Sequence, residues 1–248
     1  MHSDKLINLW STYRSNPVST KVHPDDHMFA SNPHLDGYDL VGESGAKVIH
    51  SILGLSTKEA IWRILDFGCG HGRVARHLRS MFPTAEMWFA DSKTSCVEFC
   101  AGTFNGTGVL SDEQFKADLP GGFDLIWVGS VFTHIDYERM EALFDRLFEH
   151  LGIGGILIAT FRGRRTYEAT KNKPKQATIY KTLLEEYESS GAGYQSYNRE
   201  ELGDWGLSLT SIERVVALGK RHQNSRLIGY SEAAWANIHD VGAWAKNT

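Results

Sequence analysis

From Ile61 onward, short apolar runs alternate with segments of helical spacing. The apolar runs predict strands at Arg63 to Phe67, Glu86 to Ala90, Thr107 to Leu110, Phe123 to Val128 and Gly155 to Phe161. Between them, the spacing predicts helices at Arg73 to Met81, Thr94 to Phe104 and Asp136 to Leu151. Strand and helix in turn are the signature of βαβ units around a parallel sheet. The last of these helices runs into Gly152-Ile153-Gly154-Gly155, where glycine can take the left-handed backbone that stops a helix. Residues 1–60 read differently. Turn signals at Asn16-Pro17, His23-Pro24-Asp25-Asp26, Asn32-Pro33 and Asp36-Gly37 precede a periodic run from Ala46 to Leu55, which predicts a partly helical N-terminal lid. After Phe161 the pattern loosens into helical spacing at about Thr178 to Ser189 and Leu209 to Leu218. Two apolar runs follow, Arg226 to Tyr230 and Asp240 to Trp244, suited to a terminal strand pair. The expected organisation is a lid over 1–60 and one domain over 61–248 with an insertion at about 162–206.

Composition narrows the function classes. With 248 residues, 42% of them hydrophobic, the chain can bury a substantial core. Its formal charge of −4 offers no general attraction for nucleic acid or an anionic membrane surface. The longest apolar stretches, Gly152 to Phe161 and Leu125 to Phe132, fall far short of the roughly 20 residues of a membrane helix. The first 30 residues lack the apolar block of a secretory signal, and Cys69, Cys96 and Cys100 are too few for a disulfide framework. A cytoplasmic protein is expected. One segment departs from the acidic balance: residues 162–181 hold seven basic residues and the single acid Glu168.

The chemistry concentrates in Ile64-Leu65-Asp66-Phe67-Gly68-Cys69-Gly70-His71-Gly72-Arg73, an apolar strand that enters three alternate glycines and then a helix. Glycine lets the backbone pass close to a ligand at the strand's C-terminal end. A dinucleotide fingerprint would space its third glycine one residue later. Asp66, two residues before the first glycine, would repel a pyrophosphate and attract an ammonium. S-adenosylmethionine carries an ammonium and no pyrophosphate.

This segment resembles motif I of the class I S-adenosylmethionine-dependent methyltransferases, and the similarity extends over residues 61–161, about 40% of the chain. The resemblance implies a doubly wound, mostly parallel seven-stranded α/β sheet of Rossmann-like form, its seventh strand antiparallel. It implies S-adenosyl-L-methionine as cofactor and S-adenosyl-L-homocysteine as product. In its terms Asp66, Gly68, Cys69, Gly70, Gly72 and Arg73 form the cofactor loop, Asp91 grips the ribose hydroxyls, and Ser92 lies near the adenine. Ser111 and Asp112 are candidates for the adenine amino group, with Asp118 as competitor. Gly129 and Ser130 border the methionine, and Tyr38 is a candidate to fold over the cofactor.

His134, in the loop after the fourth strand, is the candidate general base; the alternative is that it only caps or packs the next helix. His71 is expected to turn toward solvent or the lid. Asp124 reads as structural, and Cys96 and Cys100 as core residues. His23, Asp25, Asp26, His27, His34 and Asp36 have no diagnostic metal spacing and read as a solvated loop, so no metal is expected. The acceptor is expected to be a small molecule, possibly anionic given the basic run, with no nucleic-acid or membrane partner; the oligomeric state is open. Two other readings stand beside this one: an NAD(P)-dependent oxidoreductase on a similar sheet, and a non-catalytic S-adenosylmethionine-binding module.

Overall fold

A computed structural model describes residues 2–31, 35–112, 114–199 and 203–248. The elements run α1 (His2–Ser15), α2 (His27–Ala30), α3 (Leu35–Leu55), β1 (Arg63–Phe67), α4 (Ala75–Met81), β2 (Glu86–Asp91), α5 (Thr94–Phe104), β3 (Thr107–Leu110) and β4 (Phe123–Val128). There follow α6 (Tyr137–His150), β5 (Leu151–Phe161), α7 (Arg164–Lys171), α8 (Pro174–Ile179), α9 (Lys181–Ser190), β6 (Ala192–Ser196), β7 (Gly206–Thr210), α10 (Ile212–Lys220), β8 (Ser225–Trp235) and β9 (His239–Lys246).

Seven strands form one sheet in the order β3-β2-β1-β4-β5-β9-β8, and β6 with β7 forms a separate antiparallel ribbon. The pairs β3-β2, β2-β1, β1-β4 and β4-β5 are parallel, whereas β9 runs antiparallel to both β5 and β8. The order reverses between β1 and β4, the kind of switch point above which open α/β sheets bind ligands.

The period of two along the strands divides the core. Ile64, Leu125, Trp127, Ile156 and Ile158 face one layer, which holds side chains of α3, α4 and α5. Leu65, Phe67, Ile126, Val128, Leu157 and Ala159 face the other, which holds α6 and α10. On α6 the buried face is Met140, Leu143, Phe144, Leu147 and Phe148, each contributing roughly 1.5–3 kcal/mol by leaving water. Asp136 caps that helix by accepting the Arg139 N–H at 2.9 Å. Asp124 sits at the opposite, N-terminal edge of the sheet, where it accepts the N–H groups of Trp62 and Arg63 and pairs with Lys58. That is the structural role expected of it.

The N-terminal helices are pinned to α4. The Tyr13 hydroxyl meets His77 Nδ1 at 2.8 Å, and the Ser80 hydroxyl donates to the Tyr13 carbonyl. Here the structure corrects the boundaries read from sequence. Helix α3 begins at Leu35 rather than Ala46, with Gly37, Gly42 and Gly45 inside it. At Gly42 an added Cβ would lie 2.2 Å from the Arg73 carbonyl, so glycine there serves close helix packing rather than a turn. Tyr38 therefore lies within the helix it was expected to precede. Leu209 begins no helix, since Gly206–Thr210 is β7 and α10 starts at Ile212. The terminal strand pair is present and longer than its apolar runs.

Candidate active site

The loop after β1 is built from three glycines with different tasks. Gly68, Gly70 and Gly72 have φ of +75°, +50° and +78°, a region side chains rarely enter. An added Cβ on Gly68 would stand 2.3 Å from Val131 Cγ2, and one on Gly72 would stand 2.2 Å from Phe104 Cε2. Those two glycines let the loop lie against its own protein. At Gly70 an added Cβ meets nothing within 4 Å, so this is where the loop offers room. The Gly70 N–H donates to Asp91 Oδ2 at 2.9 Å, and the Lys93 N–H donates to Asp91 Oδ1. The acidic residue at the end of β2 is thereby held beside the middle of the glycine loop.

Beneath the loop lies Asp66, 2% exposed, with Oδ2 lacking any partner among the described residues. Burial, and then the nearby Asp91 charge, push its carboxyl up to about 8. A buried carboxyl with an unsatisfied oxygen suits a cationic hydrogen-bond donor, and an ammonium meets that need where a pyrophosphate would oppose it. The Cys100 thiol donates to the Gly70 carbonyl at 3.3 Å. The Cys69 thiol is pushed well up by its contact with Cys100 and by burial, which makes it packing rather than a nucleophile. Ser111 is buried and its N–H donates to the Asp91 carbonyl, whereas Ser92 and Asp118 are exposed. Asp112 Oδ1 accepts the N–H groups of Gln114 and Lys116, so it closes its own turn.

The N-terminal segment covers this loop. His71 is 8% exposed and stacks on His23 with ring centroids 4.3 Å apart, so it faces the lid. The Tyr38 hydroxyl donates to Asp26 Oδ2 at 2.6 Å, and the guanidinium groups of Arg76 and Arg73 lie 4.9 and 6.0 Å from its ring. Asp26 is 3% exposed and caps α2, so this acid belongs to a buried cluster and not to a solvated loop. His34 lies outside the described residues. Among the described residues no three His, Cys, Asp or Glu side chains are grouped to hold a metal.

Across the switch point stands the second half of the site. Ser130 has φ +66°, fixed by its N–H donating to Thr160 Oγ1 and by Thr133 Oγ1 donating to its carbonyl. Gly129 precedes it against Trp127, whose Nε1 would be 2.7 Å from an added Cβ. His134 Nδ1 lies 2.9 Å from the Gly206 carbonyl and 2.8 Å from the Tyr197 hydroxyl. A carbonyl only accepts, so Nδ1 carries the proton and Nε2 the lone pair. Burial and the charge of Arg162 hold His134 down at about 4 against the opposing pull of Gly206. Arg162 in turn donates from Nη1 to the Thr133 carbonyl. Burial together with Arg162, His134 and Arg73 lowers His239 to about 3.

Nothing in the sequence singles Arg162 out from the rest of the basic run, and His239 and Trp235 carry no sequence signal at all; only the pairing of β5 with β9 and of β9 with β8 brings them here. A separate cavity of about 320 Å³, lined by Tyr137, Met140, Tyr194 and Thr210 among others, involves none of these residues.

Comparison with known proteins agrees with this geometry. Residues 65–157 match a family described as methyltransferase domain. The chain is 26% identical over 208 residues to malonyl-[acyl-carrier protein] O-methyltransferase of Bacillus anthracis, covering 77% of this chain and 75% of that protein. It is 26% identical over 158 residues to ribosomal RNA small subunit methyltransferase C of Serratia proteamaculans, which covers 61% of this chain and only 42% of the relative. Among solved structures, the plantazolicin methyltransferase BpumL, in complex with a monoazolic desmethylPZN analog and SAH, aligns over the full length of both chains with TM-score 0.58 and 15% identity. Such a likeness speaks for the fold. The glycine loop, the paired acids around it, the sheet order and the domain matched over residues 65–157 together support a class I S-adenosylmethionine-dependent methyltransferase fold for this chain.

Proposed function

We propose that the chain transfers a methyl group from S-adenosylmethionine to an oxygen of a small acidic acceptor by in-line displacement. The observation that carries the cofactor half is the open face of Gly70 between two acids, Asp91 bonded to its N–H and Asp66 with an orphaned oxygen below. In this reading Asp91 holds the ribose, Asp66 meets the ammonium, and Gly129 and Ser130 flank the methionine. When bound, the cofactor supplies a methyl group already activated by a positive leaving group. The protein's part is alignment and exclusion of water, and effective molarities of about 10⁵ M or more are within reach of well-oriented groups. Tyr38 and His71, under the N-terminal segment, contribute to that exclusion.

The acceptor half rests on His134. A histidine held near 4 is neutral at pH 7 and too weak to take the proton of a hydroxyl or an ammonium. An acid oxygen needs no base, since it is already deprotonated at pH 7. His134 then orients the acceptor rather than deprotonating it. The Bacillus anthracis relative, an O-methyltransferase by name, is consistent with an oxygen acceptor. A net charge of −4 supports a small molecule over RNA. No helix among the described residues is long and apolar enough to cross a membrane. Three free cysteines suit a cytoplasmic setting.

Isothermal titration with S-adenosylmethionine, S-adenosylhomocysteine and NADH tests the cofactor. Binding of the two sulfur ligands alone is expected, weakened at least about tenfold in Asp91→Ala, and NADH binding would overturn the reading. At saturating cofactor, turnover is expected to show no titration between pH 5.5 and 8 and to survive in His134→Ala. A limb near pH 6.5 that disappears in the variant would make His134 the base after all.

A further inference from the structure

We propose that Arg162, with His239 and Arg73 beside it, forms an oxyanion subsite that holds the acid group of the acceptor over the switch point of the sheet. The inference deepens the methyltransferase reading, on which it rests for the identity of the bound acid as the acceptor.

The residues form an arc along the C-terminal edge of the central strands. His134 follows β4, and its Nδ1 lies 2.8 Å from the Tyr197 hydroxyl, which also hydrogen-bonds the Arg162 guanidinium. Arg162 directly follows Phe161, whose cross-strand partner is Asp240, and this places His239 at the same end of the β5-β9 pair. The His239 ring lies 5.2 Å from Trp235, and the Arg73 guanidinium, from the turn just before α4, lies 5.7 Å from the same indole. Two guanidinium groups and two imidazoles thus converge from separate segments of the chain.

Among the described residues no carboxylate acts on Arg162 or His239, and Asp26 is the one that acts on Arg73. Among the described residues neither Arg162, Arg73 nor His239 forms an ion pair. Tyr197 and Tyr180 are the groups that face Arg162, and Tyr38 and Asp26 face Arg73. The Asp26 carboxylate is already taken by the Tyr38 hydroxyl and the N–H groups of Met28 and Phe29. Asp240, next to His239, is taken by the Tyr230 hydroxyl and the Ala233 N–H. His239 Nδ1 is buried with no partner among the described residues. The two guanidinium charges, brought together in a partly desolvated place with neutral imidazoles beside them, oppose folding unless an anion joins them. A guanidinium matches the two oxygens of a carboxylate in one plane. Arg162 also bonds the carbonyl of Thr133, the residue whose hydroxyl fixes Ser130, so an acid held there adjoins the residues assigned to the methionine.

The test is calorimetric titration of the full chain with malonate, its monomethyl ester and malonamide, three ligands of one skeleton and falling charge, each with and without saturating S-adenosylhomocysteine. Malonate is expected to bind at least about tenfold more tightly than malonamide, with the ester between them. Arg162→Gln is expected to remove that preference in a protein that still binds S-adenosylhomocysteine, and His239→Gln to weaken it. Inorganic phosphate, titrated in parallel, separates the two sources of an oxyanion: malonate over phosphate identifies a carboxylic acid, and the reverse a phosphorylated acceptor. Equal binding of malonate and malonamide by the wild-type protein, or an undiminished preference in a folded Arg162→Gln, would overturn the subsite. The cofactor-free titrations keep failure of the subsite distinct from failure of the methyltransferase reading, which follows only if S-adenosylhomocysteine itself does not bind.

Discussion

With Asp66 meeting the ammonium as proposed, cofactor binding is expected to be a proton-release reaction. In the free protein its carboxyl is held at about 8, so at pH 7 roughly nine molecules in ten carry the proton. An ammonium seated against the orphaned oxygen favours the ionised form, and the proton must leave as the ligand enters. The apparent dissociation constant then rises by a factor of about 1 + 10^(8−pH), close to elevenfold at pH 7 and a hundredfold at pH 6. Each pH unit well below 8 costs about 1.4 kcal/mol of binding free energy. Calorimetry between pH 5.5 and 7.5, in buffers of small and large ionisation enthalpy, measures both the affinity slope and the protons released. About 0.9 proton per ligand is expected at pH 7. Asp66→Asn carries the polar shape without the charge, so its affinity should be weak and flat across the same range. If the wild-type affinity is also flat and no proton is released, Asp66 does not ionise in the complex and the ammonium sits elsewhere.

The same carboxyl bears on stability with a definite sign. Its folded-state value lies above the ordinary 3.8, so its contribution is intact below about pH 4 and is lost as pH rises toward 8. The gain in melting temperature of Asp66→Asn over the wild type should therefore grow from pH 5 to pH 8; a gain independent of pH would contradict this. The glycines of the loop should separate in the same way. Gly72→Ala drives a methyl group into Phe104 and is expected to lose about 1–3 kcal/mol or more in urea unfolding. Gly70→Ala adds only the strain of a left-handed alanine, about 1 kcal/mol, yet should weaken S-adenosylhomocysteine at least about tenfold. Comparable stabilities of the two variants, or intact binding by Gly70→Ala, would reverse the division of labour.

Residues 61–161 are legible because local and tertiary demands coincide there. Buried parallel strands need continuous apolar runs, and β1 and β4 begin and end where those runs do. The glycine loop stands out because left-handed backbone admits few residue types. Where one residue serves two demands, sequence and structure part. Gly37, Gly42 and Gly45 look like breaks in a helix, yet they sit inside α3, with Gly42 against α4. Ribbon β6-β7 has a glycine in each strand and is too short for alternation to stand out. The glycine loop and the two acids, Asp66 and Asp91, lie within about thirty residues of each other and are readable together. Arg162 and His239 are far apart in the chain, and the antiparallel register that joins them is a property of the folded sheet alone.

Trp235 joins segments far apart in the chain: its indole N–H donates to the Val41 carbonyl of α3 while its ring faces Arg73 and Trp127. The order of synthesis gives that contact a consequence in time. Residues 1–72 leave the ribosome with the N-terminal helices and the glycine loop complete, but the wall they close against is encoded more than 150 residues later. At about 5–20 residues per second, the nascent chain carries an unsealed pocket for on the order of 10 s. Throughout that interval the face of α3 that Trp235 later covers stands open, so the nascent chain is most exposed to mispairing just before the hairpin of β8 and β9 emerges to cap it.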